Sequence, residues 1–255
     1  MHFDETSRHY DVPAGMALKR PVRGAIIVLR EPDKLCRKRR GGESTFRKYI
    51  SYLFILAGFV LALYPLASDR WNLMHQSRAV AAYTSEVDRM EEARLEMMWR
   101  EALAYNEWLR TEALDRFHPS EEDLARYSAV LDVTGTGIMG YLEIPKISVK
   151  LPVYHGVDEA VLQIAAGHMP GSSLPVGGPG THAVISGHRG LPSAKLLTAL
   201  DEMEEGDIFY IHVLNRTLTY RVDQCAVVLP DDTDDLGISA EGDYCTLVTC
   251  TPYGV

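Results

Sequence analysis

Residues Tyr49–Ala67 read YISYLFILAGFVLALYPLA, 19 consecutive positions without a formal charge. At about 1.5 Å per residue, a helix of that length just crosses a hydrocarbon core of about 30 Å. Lys34, Arg37, Lys38, Arg39, Arg40, Arg47 and Lys48 precede the run, and Asp69 and Arg70 lead from it into an acidic stretch. The positive-inside rule then predicts a single-pass cell-membrane protein with a cytoplasmic N-terminus and residues 71–255 outside. A cleaved signal peptide is the competing reading, because Leu-Ala-Leu-Tyr-Pro-Leu-Ala-Ser offers small residues near the end of the run. The run exceeds the usual apolar length of such peptides and starts deep in the chain, so an uncleaved anchor is expected.

Charge divides at the same place. Residues 1–70 carry 13 Lys/Arg against 7 Asp/Glu, and residues 71–255 carry 13 against 28. The net charge of −9 argues against nucleic acid as a partner. A hydrophobic content of 46% is enough to build a core. The four cysteines, Cys36, Cys225, Cys245 and Cys250, include no Cys-x-x-Cys pair. That disfavours a structural zinc site or a thioredoxin-type motif, while a Cys225–Cys245 disulfide stays open. The histidines of the second half lack metal-site spacing and have no carboxylate cluster beside them. No metal and no other cofactor is expected.

Four regions follow: a basic cytoplasmic tail at 1–48, the anchor at 49–67, an extracytoplasmic helical region at 68–134, and a β domain at 135–255. Residues 1–33 show no clear periodicity. Residues 75–110 contain neither Gly nor Pro, and their composition predicts a helical pair or one long helix. Val80, Tyr83, Val87 and Met90 recur on one face. Ser120, with Asp123 three residues on, opens a further short helix as a capping-box variant. Runs rich in β-branched and aromatic residues then predict strands at 138–144, 147–154, 181–186, 207–214, 217–229 and 244–250, with a hairpin turn at Asn215-Arg216. Many short strands imply a sandwich or barrel. Gly135-Thr136-Gly137-Ile138-Met139-Gly140 fits G-x-G-x-x-G, but a helix precedes it and a strand follows, the reverse of a dinucleotide site.

Two segments carry chemistry. In Ser186-Gly187-His188-Arg189-Gly190 a strand ends at a glycine and presents His188 on the loop beyond it. In Thr246-Leu247-Val248-Thr249-Cys250-Thr251-Pro252 a cysteine ends a strand before a proline that cannot extend the ladder. Cys245 and Cys250 fall an odd number apart, so an unbroken strand points them to opposite faces. A cysteine with a separate loop histidine is a candidate nucleophile pair.

Together these segments resemble the sortases. Thr246–Cys250 looks like the family's nucleophile strand, and Gly187-His188-Arg189 like its histidine loop. The longer stretches Ile138–Ile147, Leu151–Gly156, Gly187–Lys195, Gly206–Val213 and Thr246–Gly254 resemble class C, the pilus-polymerising members. The resemblance implies an all-β domain, an eight-stranded closed barrel preceded by the helices and the anchor. It implies a Gram-positive cysteine transpeptidase in which Cys250 attacks the Thr–Gly bond of an LPxTG-like sorting signal. His188 acts as acid and base, and a pilin lysine or a cell-wall amine resolves the thioester. The Thr251 N–H is a candidate oxyanion donor, and Thr249, Arg189, Leu191, Pro192 and Ser193 are candidates to line the substrate cleft. Asp115-Arg116-Phe117 is the best match to the class C lid, with Arg where the family has Pro. Asp115 is then expected near Cys250 and Phe117 in the apolar cleft. The family also uses an arginine on a strand after the cysteine, and that strand falls past Val255. The expectation is a barrel cut short of its last strand, with a catalytically inactive, membrane-anchored binding module as the alternative.

Overall fold

The computed structural model describes residues 45–113, 115–229 and 233–252. Most of the basic tail, Cys36, Leu114 and the last three residues of the Thr246–Val255 stretch lie outside the described residues. Residues Met1–Tyr49 and Ile50–Val255 form separate units, and the architecture below is that of the second.

The apolar run sits in α1, Thr45–Val87, which contains Pro65 and continues without a break past the expected anchor boundary at Ala67. α1 holds a window long and apolar enough to cross a membrane, none of it buried inside the protein. Further along, Gln76, Val80, Tyr83 and Val87 are buried along one face, the three- and four-residue spacing of a helix packed on a core. A short turn leads into α2, Glu92–Thr111, which buries Leu95, Trp99, Ala102, Tyr105, Asn106 and Leu109. The region is therefore a helical pair whose first member is continuous with the apolar run. α3, Glu121–Ala129, has the complete capping box: the Ser120 side chain accepts from the Asp123 N–H, and the Asp123 carboxylate accepts from the Ser120 N–H.

Seven strands follow, β1 Ile138–Ile144, β2 Val149–His155, β3 Ala166–His168, β4 Thr181–Ser186, β5 Ile208–Val213, β6 Arg216–Arg221 and β7 Asp243–Val248, with the short α4, Glu159–Leu162, between β2 and β3. They form one sheet in the order β6-β5-β1-β2-β3-β4-β7. The pairs β2–β3 and β4–β7 are parallel and the others antiparallel. Curvature brings the two edges together, and the Tyr220 hydroxyl on β6 donates to Asp243 Oδ1 on β7 across 3.1 Å. The result is a nearly closed mixed barrel of seven strands among the described residues, in keeping with the expected eight-stranded barrel short of its last strand.

β1 and β4 begin and end where the sequence predicts. The strand expected over 217–229 stops at Arg221, because its ladder partner begins at Ile208 and pairs with that residue. Val227 and Leu229 beyond it stand 82% and 77% exposed. The β5–β6 turn is Leu214-Asn215 rather than Asn215-Arg216, with Leu214 at φ 51°. β3 escapes prediction since Ala-Gly-His is too short to show a period. Cys225 and Cys245 are free thiols, and Cys245 packs against the core while Cys250 is exposed.

His168 shows how tightly the centre is closed. It is wholly buried. Its Nε2 lies 2.8 Å from the Ser173 carbonyl and its Nδ1 2.9 Å from the Tyr127 hydroxyl. Burial, with His155 adding to it, lowers its pKa from 6.5 to about 4. A histidine held neutral in the folded state takes up its proton in the unfolded state first. Stability is therefore complete above about pH 6.5 and falls as pH drops toward about 4. At about 1.4 kcal/mol per pH unit, lowering the pH from 7.5 to 5 should remove about 2 kcal/mol through this group. Urea titrations of the intact chain and of His168→Gln at both pH values test this: the variant should lose that part of the pH slope.

Candidate active site

The parallel pair β4–β7 sets the site. Its register runs from Thr181 opposite Asp243 to Ser186 opposite Val248. Beyond the strands the two chains stay linked: the Gly187 N–H donates to the Val248 carbonyl at 3.0 Å, and the Thr249 hydroxyl donates to the Gly187 carbonyl at 2.9 Å. One residue further on each chain stand His188 and Cys250, each two positions past the last paired residue of its strand. They therefore lie at the same end of the barrel, although they stand 62 positions apart in the sequence. β7 ends at Val248, four residues before Pro252, because β4 ends opposite it.

Gly187 is required by crowding. A Cβ there would lie 2.8 Å from Leu197 Cδ1 and 2.9 Å from its Cγ. The same leucine closes the loop, its N–H donating to the His188 carbonyl at 3.2 Å. The His188 side chain is 24% exposed, and its Nε2 lies 3.5 Å from Glu159 Oε2 on α4. A hydrogen bond from the Gln163 side chain, aided by His188, holds the Glu159 carboxyl below its ordinary pKa. No local motif marks Glu159 in the sequence, since only the fold brings α4 to the histidine loop.

The remaining candidates lie on the two chain segments that carry this pair. The Thr249 hydroxyl is committed to the Gly187 carbonyl and acts as a strut between the two chains. Thr251 is exposed. Arg189 directs its guanidinium to Asp201 at 2.5 Å. Leu191 is half-buried against the core and bridges to Ala194. Pro192 is exposed and Ser193 half-buried, with the Ser193 carbonyl accepting from the Asn72 side chain. Among the described residues no group of three or more His, Cys, Asp or Glu could hold a metal ion.

Asp115, Arg116 and Phe117 lie in the connection from α2 to α3. The Asp115 side chain is 68% exposed and pairs with His118 Nδ1 at 3.0 Å. The Arg116 guanidinium stacks 4.3 Å over the Phe117 ring. It also donates to the Gly171 carbonyl at 3.3 Å and to the Leu236 carbonyl at 2.8 Å. Gly171 has φ +83°, and a Cβ there would collide with the Arg116 carbonyl. From sequence, Arg116 is only a departure from Pro; in the fold it staples this segment to two loops of the barrel. Charge-assisted bonds of this kind each contribute about 1.5–3 kcal/mol. Arg116→Ala should therefore raise amide exchange in residues 115–118 at least about tenfold, measured by hydrogen–deuterium exchange, with exchange in β1 unchanged.

The chain is also similar to known proteins. The family model for the sortase domain matches residues 142–255. Sortase D of Bacillus subtilis is 32% identical over 114 residues, 45% of this chain and 54% of the relative. Sortase A of Streptococcus agalactiae is 27% identical over 117 residues, 47% of its length. The chain thus spans about half the length of these curated relatives. Among solved structures, sortase C1 of Streptococcus agalactiae is 47% identical, with 70% of this chain and 92% of that one covered and a TM-score of 0.68. Sortase C of Streptococcus pneumoniae is 43% identical, covering 70% and 90%, with a TM-score of 0.61. A barrel of this order, a matching domain family and relatives this similar over nine-tenths of their solved chains lead to one conclusion: the chain belongs to the sortase family, in its class C group.

Proposed function

We propose that this chain is a membrane-anchored cysteine transpeptidase that cleaves an LPxTG-like sorting signal between Thr and Gly and transfers the acyl fragment to an amine. The observation that carries the reading is the common step by which His188 and Cys250 each follow the parallel pair β4–β7. The Cys250 thiolate attacks the threonine carbonyl carbon and a C–S bond forms. As the tetrahedral intermediate collapses, the C–N bond to glycine breaks, and protonated His188 delivers its proton to the leaving amine. An incoming amine then attacks the thioester, His188 takes the proton that the amine sheds, and the thiolate departs. Developing negative charge on the carbonyl oxygen needs a donor, which can be worth about 3 kcal/mol; the Thr251 N–H is assigned this role.

The acceptor is a pilin lysine or a cell-wall amine. The solved Streptococcus pneumoniae relative is described in terms of pilin substrate specificity, which favours pilin for this chain. Thr249, Arg189, Leu191, Pro192 and Ser193 line the approach to the pair, and Asp115–Phe117 form a lid over it. α1 anchors the protein in the cell membrane of a Gram-positive envelope, with the N-terminus cytoplasmic and the barrel outside.

Trapping tests the reading. The intact chain in detergent is mixed with a peptide containing LPxTG and analysed by mass spectrometry. The acyl fragment up to threonine should appear on Cys250 and be released by hydroxylamine. A chain that binds the peptide but never carries the adduct would be a binding module instead.

A further inference from the structure

The buried stripe of α1 changes character along its length. Toward the C-terminal end Val80, Tyr83 and Val87 pack on the barrel. Continuing the same face toward the membrane span, the positions are Gln76, Asn72 and Asp69, spaced i, i+3 and i+7 from Asp69. Each spends its side chain on the backbone of a loop. Asp69 Oδ1 accepts from the Lys195 N–H at 3.1 Å, Asn72 Nδ2 donates to the Ser193 carbonyl at 2.8 Å, and Gln76 Nε2 donates to the Ile164 carbonyl at 2.9 Å. Gln76 is only 5% exposed.

Both loops border His188. Ser193 and Lys195 belong to the turn that leaves His188 and returns through Leu197, whose N–H bonds the His188 carbonyl. Within that turn the Gly190 N–H donates to the Thr198 hydroxyl. Ile164 lies just beyond α4, the helix that carries Glu159 to within 3.5 Å of His188 Nε2. The imidazole therefore stands on one of these loops and 3.5 Å from a carboxylate on the element leading into the other, and one face of α1 bonds the backbone of both. Loop backbone has no strand ladder to satisfy it, so polar side chains from a rigid helix fix it where an apolar contact would let it slide.

We propose that Asp69, Asn72 and Gln76 are positioning residues for His188, which makes the turns of α1 next to the membrane span a structural part of the active site. The proposal rests on His188 acting as the acid/base group. Its consequence is that the histidine loop is ordered by the anchor helix, so loosening these three bonds slows proton transfer more than it weakens peptide binding.

The test uses the full chain in nanodiscs. Asn72→Asp removes the donor with little change of shape, and Asp69→Asn keeps an acceptor for the Lys195 N–H. Asp69→Ala/Asn72→Ala should lower kcat on an LPxTG peptide about tenfold, raise KM by a smaller factor, and raise amide exchange across 188–198. Asn72→Asp should follow it in part, and Asp69→Asn should match the unaltered chain. Unchanged exchange and unchanged kcat in both Asn72→Asp and the double variant would overturn the proposal, as would an equal kcat loss in Asp69→Asn. Exchange is read without substrate, so it decides the positioning claim by itself. An unaltered chain that turns over no peptide would refute the proposed function instead.

Discussion

Cys250→Ala is expected to lose at least about a thousandfold in turnover of an LPxTG-type peptide, equivalent to about 4 kcal/mol of transition-state stabilisation. The neighbouring thiol is no substitute: Cys245, five residues back, packs against the core, where burial pushes its thiol well above the ordinary range. His188→Ala should cost about a hundred- to ten-thousandfold, the span measured for a positioned acid/base group. Because both residues serve one proton-coupled step, the double variant should be no slower than Cys250→Ala alone. Single-turnover assays followed by mass spectrometry check each point. The acyl adduct should be absent from Cys250→Ala and form slowly in His188→Ala. Turnover in Cys250→Ala within tenfold of the intact chain would remove Cys250 from the mechanism.

The second large effect concerns stability. Tyr83→Phe should destabilise the fold by about 2–4 kcal/mol. The Tyr83 hydroxyl is buried and donates to the Met139 carbonyl of β1 at 3.0 Å. It also accepts from the N–H of Leu214, the turn residue between β5 and β6, at 2.7 Å. Removing one oxygen leaves two buried backbone groups without partners, at about 1–3 kcal/mol each. Leu214 is also a non-glycine residue at φ 51°, a conformation that persists only where its surroundings enforce it. At roughly 2–4 °C per kcal/mol for a chain of this size, the melting temperature should fall by about 4–16 °C. Calorimetry on the two proteins at one pH measures it. A drop smaller than about 2 °C would mean that water reaches and satisfies both groups.

How far the sequence could be read depended on whether the deciding physics was local. Ser120 and Asp123 sit three apart, so their mutual cap is written in the chain. β1 and β4 are long enough for their composition to mark both ends. β6 was overextended to Leu229, because whether an extended segment is a strand depends on a partner, and β5 supplies none past Ile208. β3, only three residues long, carries no periodic signal, yet it joins β2 to β4. At the site, the chemistry of Cys250 and His188 is visible in the residue types and their loop contexts. Arg116, by contrast, reads as a mere departure from proline until Gly171 and Leu236 are brought to it.

What the sequence determined by itself is therefore local: the apolar span, the helical stripe through Val80, Tyr83 and Val87, most of the strands, and the cysteine and histidine with the family they resemble. Tertiary structure decided which distant pieces meet. The parallel register of β4 and β7 puts Cys250 beside the loop of His188 across 62 residues. The same fold brings Glu159 to the imidazole and sets Asp69, Asn72 and Gln76 against the loops around it. Periodicity and propensity act within a few residues of chain, whereas these contacts form only once the barrel has curved and α1 lies along it.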